Sequence, residues 1–223
     1  MTADDLLAAV LADPDADLPR LVFADALDDA GDPLRAEFVR VQVALAHAPH
    51  DLTLKAREQT LLAVHTAAWL APLRAKGEPL QNSGTHGGFR RGFVEEVWMP
   101  AGVFLWKADK LFRRAPVRTL LVTRAAAGEL GDLFHSPHLR RLRELAVSGP
   151  HGHRLATAVA EAGWLPPVLV LPNCGLADAD TAVLTGAARG WAPDLLDVSL
   201  NPLTAVGLAE LRARFGAAVR FDR

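Results

Sequence analysis

The stretch Leu195-Leu196-Asp197-Val198-Ser199-Leu200-Asn201-Pro202-Leu203-Thr204 constrains this chain more than any other. It reads as a short strand, a turn closed by an Asn, and a Leu that leads into a helix. A single strand–turn–helix unit of this size cannot bury its own apolar face, so the pattern demands neighbours of the same kind. The C-terminal half supplies them. Apolar pairs recur at Leu120/Val122, Leu145/Val147, Val168/Val170, Leu196/Val198 and Val219/Phe221, with spacings of 25, 23, 28 and 23 between the first members. Helical patterns follow near 126–135, 153–162, 178–189 and 204–214. The expected result is a stack of parallel strands backed by helices. The strand positions between the inward Leu and Val residues would face out.

Leu196, Val198, Asn201 and Leu203 fall on the tail of the leucine-rich-repeat signature L-x-x-L-x-L-x-x-N-x-L, and the spacings lie in its range. Units of this length with a helix in each resemble the ribonuclease-inhibitor-like type. The resemblance implies a short solenoid with strands on its concave side and helices on its convex side. The turn Asn recurs as Asn173 and Asn201, whereas the two earlier units have Ala125 and Pro150 there. A buried Asn amide at this point would satisfy turn groups that stacking removes from water.

The first 75 residues read differently. Leu6, Leu7, Val10 and Leu11 share a helix face. Pro19 opens a second helix that Gly31 stops. Asp32-Pro33 opens a third helix, and a fourth covers roughly 52–71. Asp13-Pro14-Asp15, Pro19-Arg20-Leu21-Val22-Phe23-Ala24-Asp25, Gly31-Asp32-Pro33 and Arg35-Ala36-Glu37-Phe38-Val39-Arg40-Val41-Gln42 together resemble the bacterial repeat-companion domain. That family is an N-terminal module found beside repeat arrays. Ala26 departs from it, standing where the family usually has Trp. The expected fold class is therefore α/β: a helical module over 1–75, a Gly-rich linker over 76–92, and a capped leucine-rich-repeat array over 93–223. Phe93–Trp98 and the apolar face Phe104, Leu105, Ala108, Leu111 and Phe112 would form the cap.

Composition narrows the function classes. Half the residues are hydrophobic and 22% are charged, as expected of a soluble globular chain. Arg outnumbers Lys by 20 to 4, the coding bias of a GC-rich bacterial genome. Cys174 is the single cysteine, so no internal disulfide or thiolate zinc site can form, which suits a cytoplasmic protein. The acidic N-terminus lacks the order of a signal peptide, and no apolar run is long enough to span a membrane. Residues 1–52 hold eleven acids and three arginines, about −8; residues 88–143 hold eleven bases and five acids, about +6.

Catalytic and ligand motifs are missing from the sequence. Asp13-Pro14-Asp15-Ala16-Asp17 alternates like a calcium loop but has Leu18 and Ala24 where Gly and Glu belong. His47/His50, His135/His138 and His151/His153 have no carboxylate at motif spacing, so no metal site is expected. Gly84-Thr85-His86-Gly87-Gly88 lacks the Lys-Ser/Thr of a phosphate loop. Asp25, Asp28, Asp29 and Asp32 crowd a helix C-terminus, against the dipole, with Arg20, Arg35 or Arg40 as expected partners. No cofactor is indicated. The expected function is non-catalytic protein–protein interaction through the concave face, with Arg118, Thr119, Thr123, Arg143, Glu144, Ser148, Asp194, Asp197 and Ser199 as contact residues. The alternative is a nucleic-acid-associated protein using Arg90, Arg91, Lys107, Lys110, Arg113, Arg114, Arg118 and Arg124, with aromatics interleaved. An enzyme of unrecognised type ranks last, since no nucleophile–base pair stands out.

Overall fold

The structure is a computed structural model that describes residues 2–73, 86–187 and 190–222. Among them are nine α-helices and one seven-stranded, mostly parallel sheet whose strand order follows the chain. Two compact units divide the chain. One holds the N-terminal helices with Gly87–Glu96 and Asp109–Val117; the other holds Val97–Ala108 and Arg118 onward.

In the first unit each helix begins where local chemistry satisfies its free amides. α1 (Ala3–Ala12) starts on a capping box in which Thr2 accepts from the Asp5 amide while the Asp5 carboxylate accepts from Thr2. α2 (Leu18–Asp29) and α3 (Pro33–His47) both carry Pro in the first turn, and the Asp32 carboxylate caps α3 through the Arg35 amide. α4 (Leu52–Leu70) starts on Asp51, whose carboxylate accepts from the Thr53 and Leu54 amides. Val10, Ala24, Ala36, Val39 and Val43 form the helical core, and Phe93 completes it.

Phe93 comes from a hairpin. β1 (His86–Arg90) and β2 (Phe93–Met99) are joined by Arg91 and Gly92, with φ +46° and +86°. Two successive left-handed residues make a tight turn that matches the strand twist. Residues 86–92 of the stretch read as linker are thus strand and turn, because hairpin turns and linkers share the same glycine-rich composition. Residues 74–85 lie outside the described residues.

α5 (Ala101–Phe112) follows β2, its residues to Ala108 falling in the second unit and the rest in the first. The parallel strands β3 (Thr119–Val122), β4 (Glu144–Val147), β5 (Val168–Val170), β6 (Leu195–Asp197) and β7 (Val219–Arg220) alternate with α6 (Glu129–His135), α7 (His153–Glu161), α8 (Asp178–Ala187) and α9 (Ala205–Phe215). Leu120, Leu145, Leu169, Leu196 and Val219 sit opposite one another across the strands. The inward pair of β5 is therefore Leu169 and Leu171, both fully buried, and not Val168 and Val170. The expected register of that unit was one residue early, which reverses which side chains face the core. The spacings on either side become 24 and 27.

The same slip moves the turn position. Four residues after Leu145, Leu169 and Leu196 stand Gly149, Asn173 and Leu200, at φ +116°, +51° and +59°. These three units thus turn through a left-handed residue, Gly in the first and a non-Gly residue in the next two, whereas Arg124 at the matching place after Leu120 does not. Five residues after stand Pro150, Cys174 and Asn201. Asn173 is exposed, so it is not the buried turn residue; Cys174 is.

Candidate functional site

Alternation along the strands of the second unit creates two unlike faces. Leu120, Val122, Leu145, Val147, Leu169, Leu171, Leu196 and Val198 point to the helices and are buried. The opposite face carries Thr119 and Leu121 from β3 with Thr123 just after it, Glu144 and Ala146 from β4 with Ser148 after it, Val168 and Val170 from β5 with Pro172 beyond it, and Leu195 from β6. These ten are half-buried or exposed. Its centre is apolar: Leu121, Ala146, Val168, Val170 and Leu195 are all half-buried. None of these five was among the expected contact residues. The β5 slip hid two of them by assigning Val168 and Val170 to the core.

The nine expected residues scatter over three kinds of place. Thr119, Thr123, Glu144 and Ser148 lie on the open face. Arg118, Arg143 and Asp194 stand one residue before their strands, in line with the buried row, and their backbones extend the ladder: Arg143 and Glu144 amides donate to Arg118 O, and the Asp194 amide to Pro167 O at 2.8 Å. Asp197 and Ser199 share the parity of the face but are only 7% exposed, which corrects their reading as open contacts. The Asp197 carboxylate accepts from the Ser199 amide at 2.9 Å and lies 3.5 Å from Arg220 Nε; the Ser199 hydroxyl accepts from the Asp222 amide.

What holds this face in register is the turn interior. Asn201, 6% exposed, accepts the Cys174 and Leu176 amides on Oδ1 at 2.9 and 3.0 Å. Its Nδ2 donates to Leu171 O, Val198 O and Ser199 O. One side chain thus serves five backbone groups in two adjacent units. One unit earlier, the Cys174 thiol donates to Val147 O at 3.1 Å. Burial pushes that thiol up to about 12, which leaves it a packed donor and not a nucleophile. On the helix side the Asp178 carboxylate accepts from the amide and hydroxyl of Thr204, and His153 Nδ1 meets Asp180 at 2.9 Å. A shallow depression beside the turns is lined by Asn173, Leu200, Pro202 and Phe221.

In the first unit, several of the motif residues noted in the sequence converge on the hairpin turn. Arg20, fully buried, donates to Arg90 O, Arg91 O and Pro14 O and to Glu95 Oε1 at 2.6 Å. Arg35 donates to Gly92 O, and its guanidinium lies 4.8 Å over the Trp69 ring and 5.3 Å over Phe38. Burial lowers its pKa to about 10. Gln42 accepts the Gly92 amide at 2.7 Å and donates to Phe89 O and Glu58. A Cβ on Gly92 would meet Val39 at 2.6 Å, so the turn admits only glycine there. These side chains hold main chain and offer no reactive group to solvent.

The remaining sequence candidates fall into place singly. Arg40 pairs with Asp25 at 2.6 Å and Asp28 at 2.7 Å, and Asp32 caps α3; Arg20 and Arg35 serve the hairpin instead of the acidic cluster. In the Asp13–Asp17 loop the carbonyls of Pro14 and Asp15 accept from Arg20 and Arg91. Among the described residues no three His, Cys, Asp or Glu side chains gather as a metal site. His47 meets Asp17, and His135 meets Gly131 O. Within the basic set, Arg90 bonds Glu96, Arg91 lies within 4 Å of Asp15, Asp17 and Glu95, and Lys107 is 6% exposed. The interleaved Phe93 and Phe112 are core residues, and Trp106 is 73% exposed. Among the described residues no helix is long and apolar enough to cross a membrane. No family model, curated protein or solved structure matches the chain.

Proposed function

We propose that this chain is a non-catalytic protein–protein interaction module: a helical domain of repeat-companion type followed by a short leucine-rich-repeat solenoid that binds a partner protein on its concave sheet face. The observation that carries the reading is the inequality of the two sheet faces. Parallel strands are usually covered on both sides. Here one row is buried under helices while Leu121, Ala146, Val168, Val170 and Leu195 remain half-buried on the other side. Apolar surface rimmed by polar groups is the composition of a contact patch. Asn201 and the left-handed turns at Gly149, Asn173 and Leu200 support the repeat reading, since three successive units turn at the same position. The roles of Arg20, Arg35 and Gln42 support the companion reading, because the motif residues are spent on fixing a hairpin.

The test uses the whole chain as bait in its own cell extract, beside Val170→Glu on the open face and Val206→Glu on α9, where Val206 is 73% exposed. A protein captured by the wild type and by Val206→Glu, and lost with Val170→Glu, supports the reading. Capture that survives Val170→Glu overturns it.

A further inference from the structure

Among the described residues the parallel sheet ends on β7, which pairs with β6 along one edge only. Extended backbone runs past the strand itself. The Val198 and Leu200 amides donate to Arg220 O and Asp222 O at 3.0 and 2.8 Å, and the Asp222 amide donates to the Ser199 hydroxyl at 2.9 Å. Arg220 and Asp222 therefore turn their main chain toward β6. Backbone direction alternates along a strand, so Phe221 between them turns its N–H and C=O to the open edge. An open edge is a template for another strand, and charged side chains usually blunt it. Here the charges are an exposed arginine and an exposed aspartate placed evenly about Phe221. A second copy of the same edge, run the other way, is met by attraction and not by repulsion.

We propose that β7 pairs antiparallel with β7 of a second copy of this chain, across a twofold axis that sets Phe221 against the partner's Phe221. In that register the two phenylalanines exchange N–H···O bonds, using the groups that face the open edge. The flanking residues meet as the closer, non-hydrogen-bonded pairs: Arg220 stands across from the partner's Asp222, and Asp222 from the partner's Arg220. Opposite charges directly across an antiparallel pair attract. The contact is isologous, so the ion pair is made twice and the assembly closes at two copies. Both present contacts of Arg220 are made by Nε, at 3.5 Å to Asp197 and 3.1 Å to Asp222, and the terminal amino groups of a guanidinium are further donors. Phe221 has the parity of buried Val219 and is itself half-buried, lining the depression with exposed Leu200 and Pro202. Pairing of the two rings therefore also covers apolar surface on the helix side of the sheet. The proposal does not rest on the open face binding a partner.

Sedimentation equilibrium of the full chain, run from low to high micromolar concentration, measures the pairing. The expected result is a monomer–dimer equilibrium for the wild type. Arg220→Glu makes the edge acidic on both sides of Phe221, and Asp222→Arg makes it basic on both sides. Each alone turns the cross-strand pairs into like charges and should weaken the dimer about tenfold or more. Mixed in equal amounts, the two variants meet acid to base at both pairs and should regain the wild-type affinity as a heterodimer. Phe221→Pro removes the outward N–H at a position where an edge strand accepts proline, and should leave a monomer. A wild type that stays monomeric throughout overturns the proposal. So does association that ignores all three substitutions, and so does association lost in both charge variants but not restored by mixing them. Circular dichroism of each variant confirms that the fold is kept.

Discussion

Asn201 shows how much one side chain can carry. Replacing it with Ala leaves the Cys174 and Leu176 amides and three carbonyls short of a partner inside a dry turn. Asn201→Ala should therefore destabilise the chain by about 1–3 kcal/mol in urea unfolding. A change within the error of the melt would mean that water reaches the turn. Cys174 makes the matching prediction in chemistry. A thiol raised to about 12 and sealed from solvent has almost no thiolate at neutral pH. It should resist a thiol reagent in the native protein and react fully in denaturant. Rapid native labelling would show that this turn opens. Cys174 is fully buried in its turn. Its place in the turn series went instead to Asn173, because Asn is the residue the motif leads one to look for.

At the scale of elements, the helices were legible in the sequence and the register of one strand was not. Pro19 and Asp32-Pro33 mark helix starts by chemistry that needs no tertiary partner. Val168-Leu169-Val170-Leu171 is apolar at every position, so alternation cannot say which pair turns inward; the neighbouring strands decide. That ambiguity also cost the centre of the candidate face. The hairpin was hidden for another reason: its turn glycine looks like linker until Val39 and Gln42 are seen against it. Gly92→Ala should cost about 1–3 kcal/mol through left-handed strain and overlap with Val39. Gly131→Ala, in α6 with open space at its Cβ, should be neutral or stabilising by about 0.5–1 kcal/mol. Thermal melts of the two variants test the pair. Glu95 adds a test by pH. Burial raises its pKa despite the attraction of Arg20 and Arg91. A carboxyl whose folded pKa exceeds its unfolded value binds its proton better when folded, so its contribution to stability falls as pH rises through that window. Glu95→Gln keeps an acceptor for Arg20 and should gain on the wild type as pH climbs from the unfolded value through the raised one. Glu95→Ala leaves the buried Arg20 with carbonyl partners but no counter-charge at Glu95 and should cost about 3–5 kcal/mol. A Gln variant whose difference from the wild type ignores pH would show that Glu95 titrates normally.

At the scale of the whole molecule, the compact units do not follow the apparent linker. A cut between the helices and the glycine-rich stretch looks natural in the sequence, yet Gly87–Glu96 belongs to the unit of the N-terminal helices. Phe93 is buried against Val10, Ala24, Ala36, Val39 and Val43, and ring contacts join Phe89 to Phe38 and Trp69. The acidic excess of residues 1–52 adds little to that packing. Exposed pairs such as Arg91 with Asp15 are worth at most about 1 kcal/mol each. Burial of apolar side chains does most of the holding, at about 1.5–3 kcal/mol for each one fully covered. A fragment of residues 76–223 therefore keeps the hairpin but loses the N-terminal helices that pack on Phe89 and Phe93, and it leaves the Arg91 carbonyl and Glu95 without Arg20. Its exposed apolar strands should promote self-association, and amides of 86–96 should exchange far faster than in the full chain. The parallel strands β4 to β6 should stay protected, because Asn201, Cys174 and the Asp178–Thr204 contact all lie within the fragment. Light scattering reads the first expectation and hydrogen exchange the other two. A monomeric fragment that protects 86–96 as strongly as the full chain does would show that the hairpin folds without the helices, and Arg20, Arg35 and Gln42 would then need another purpose.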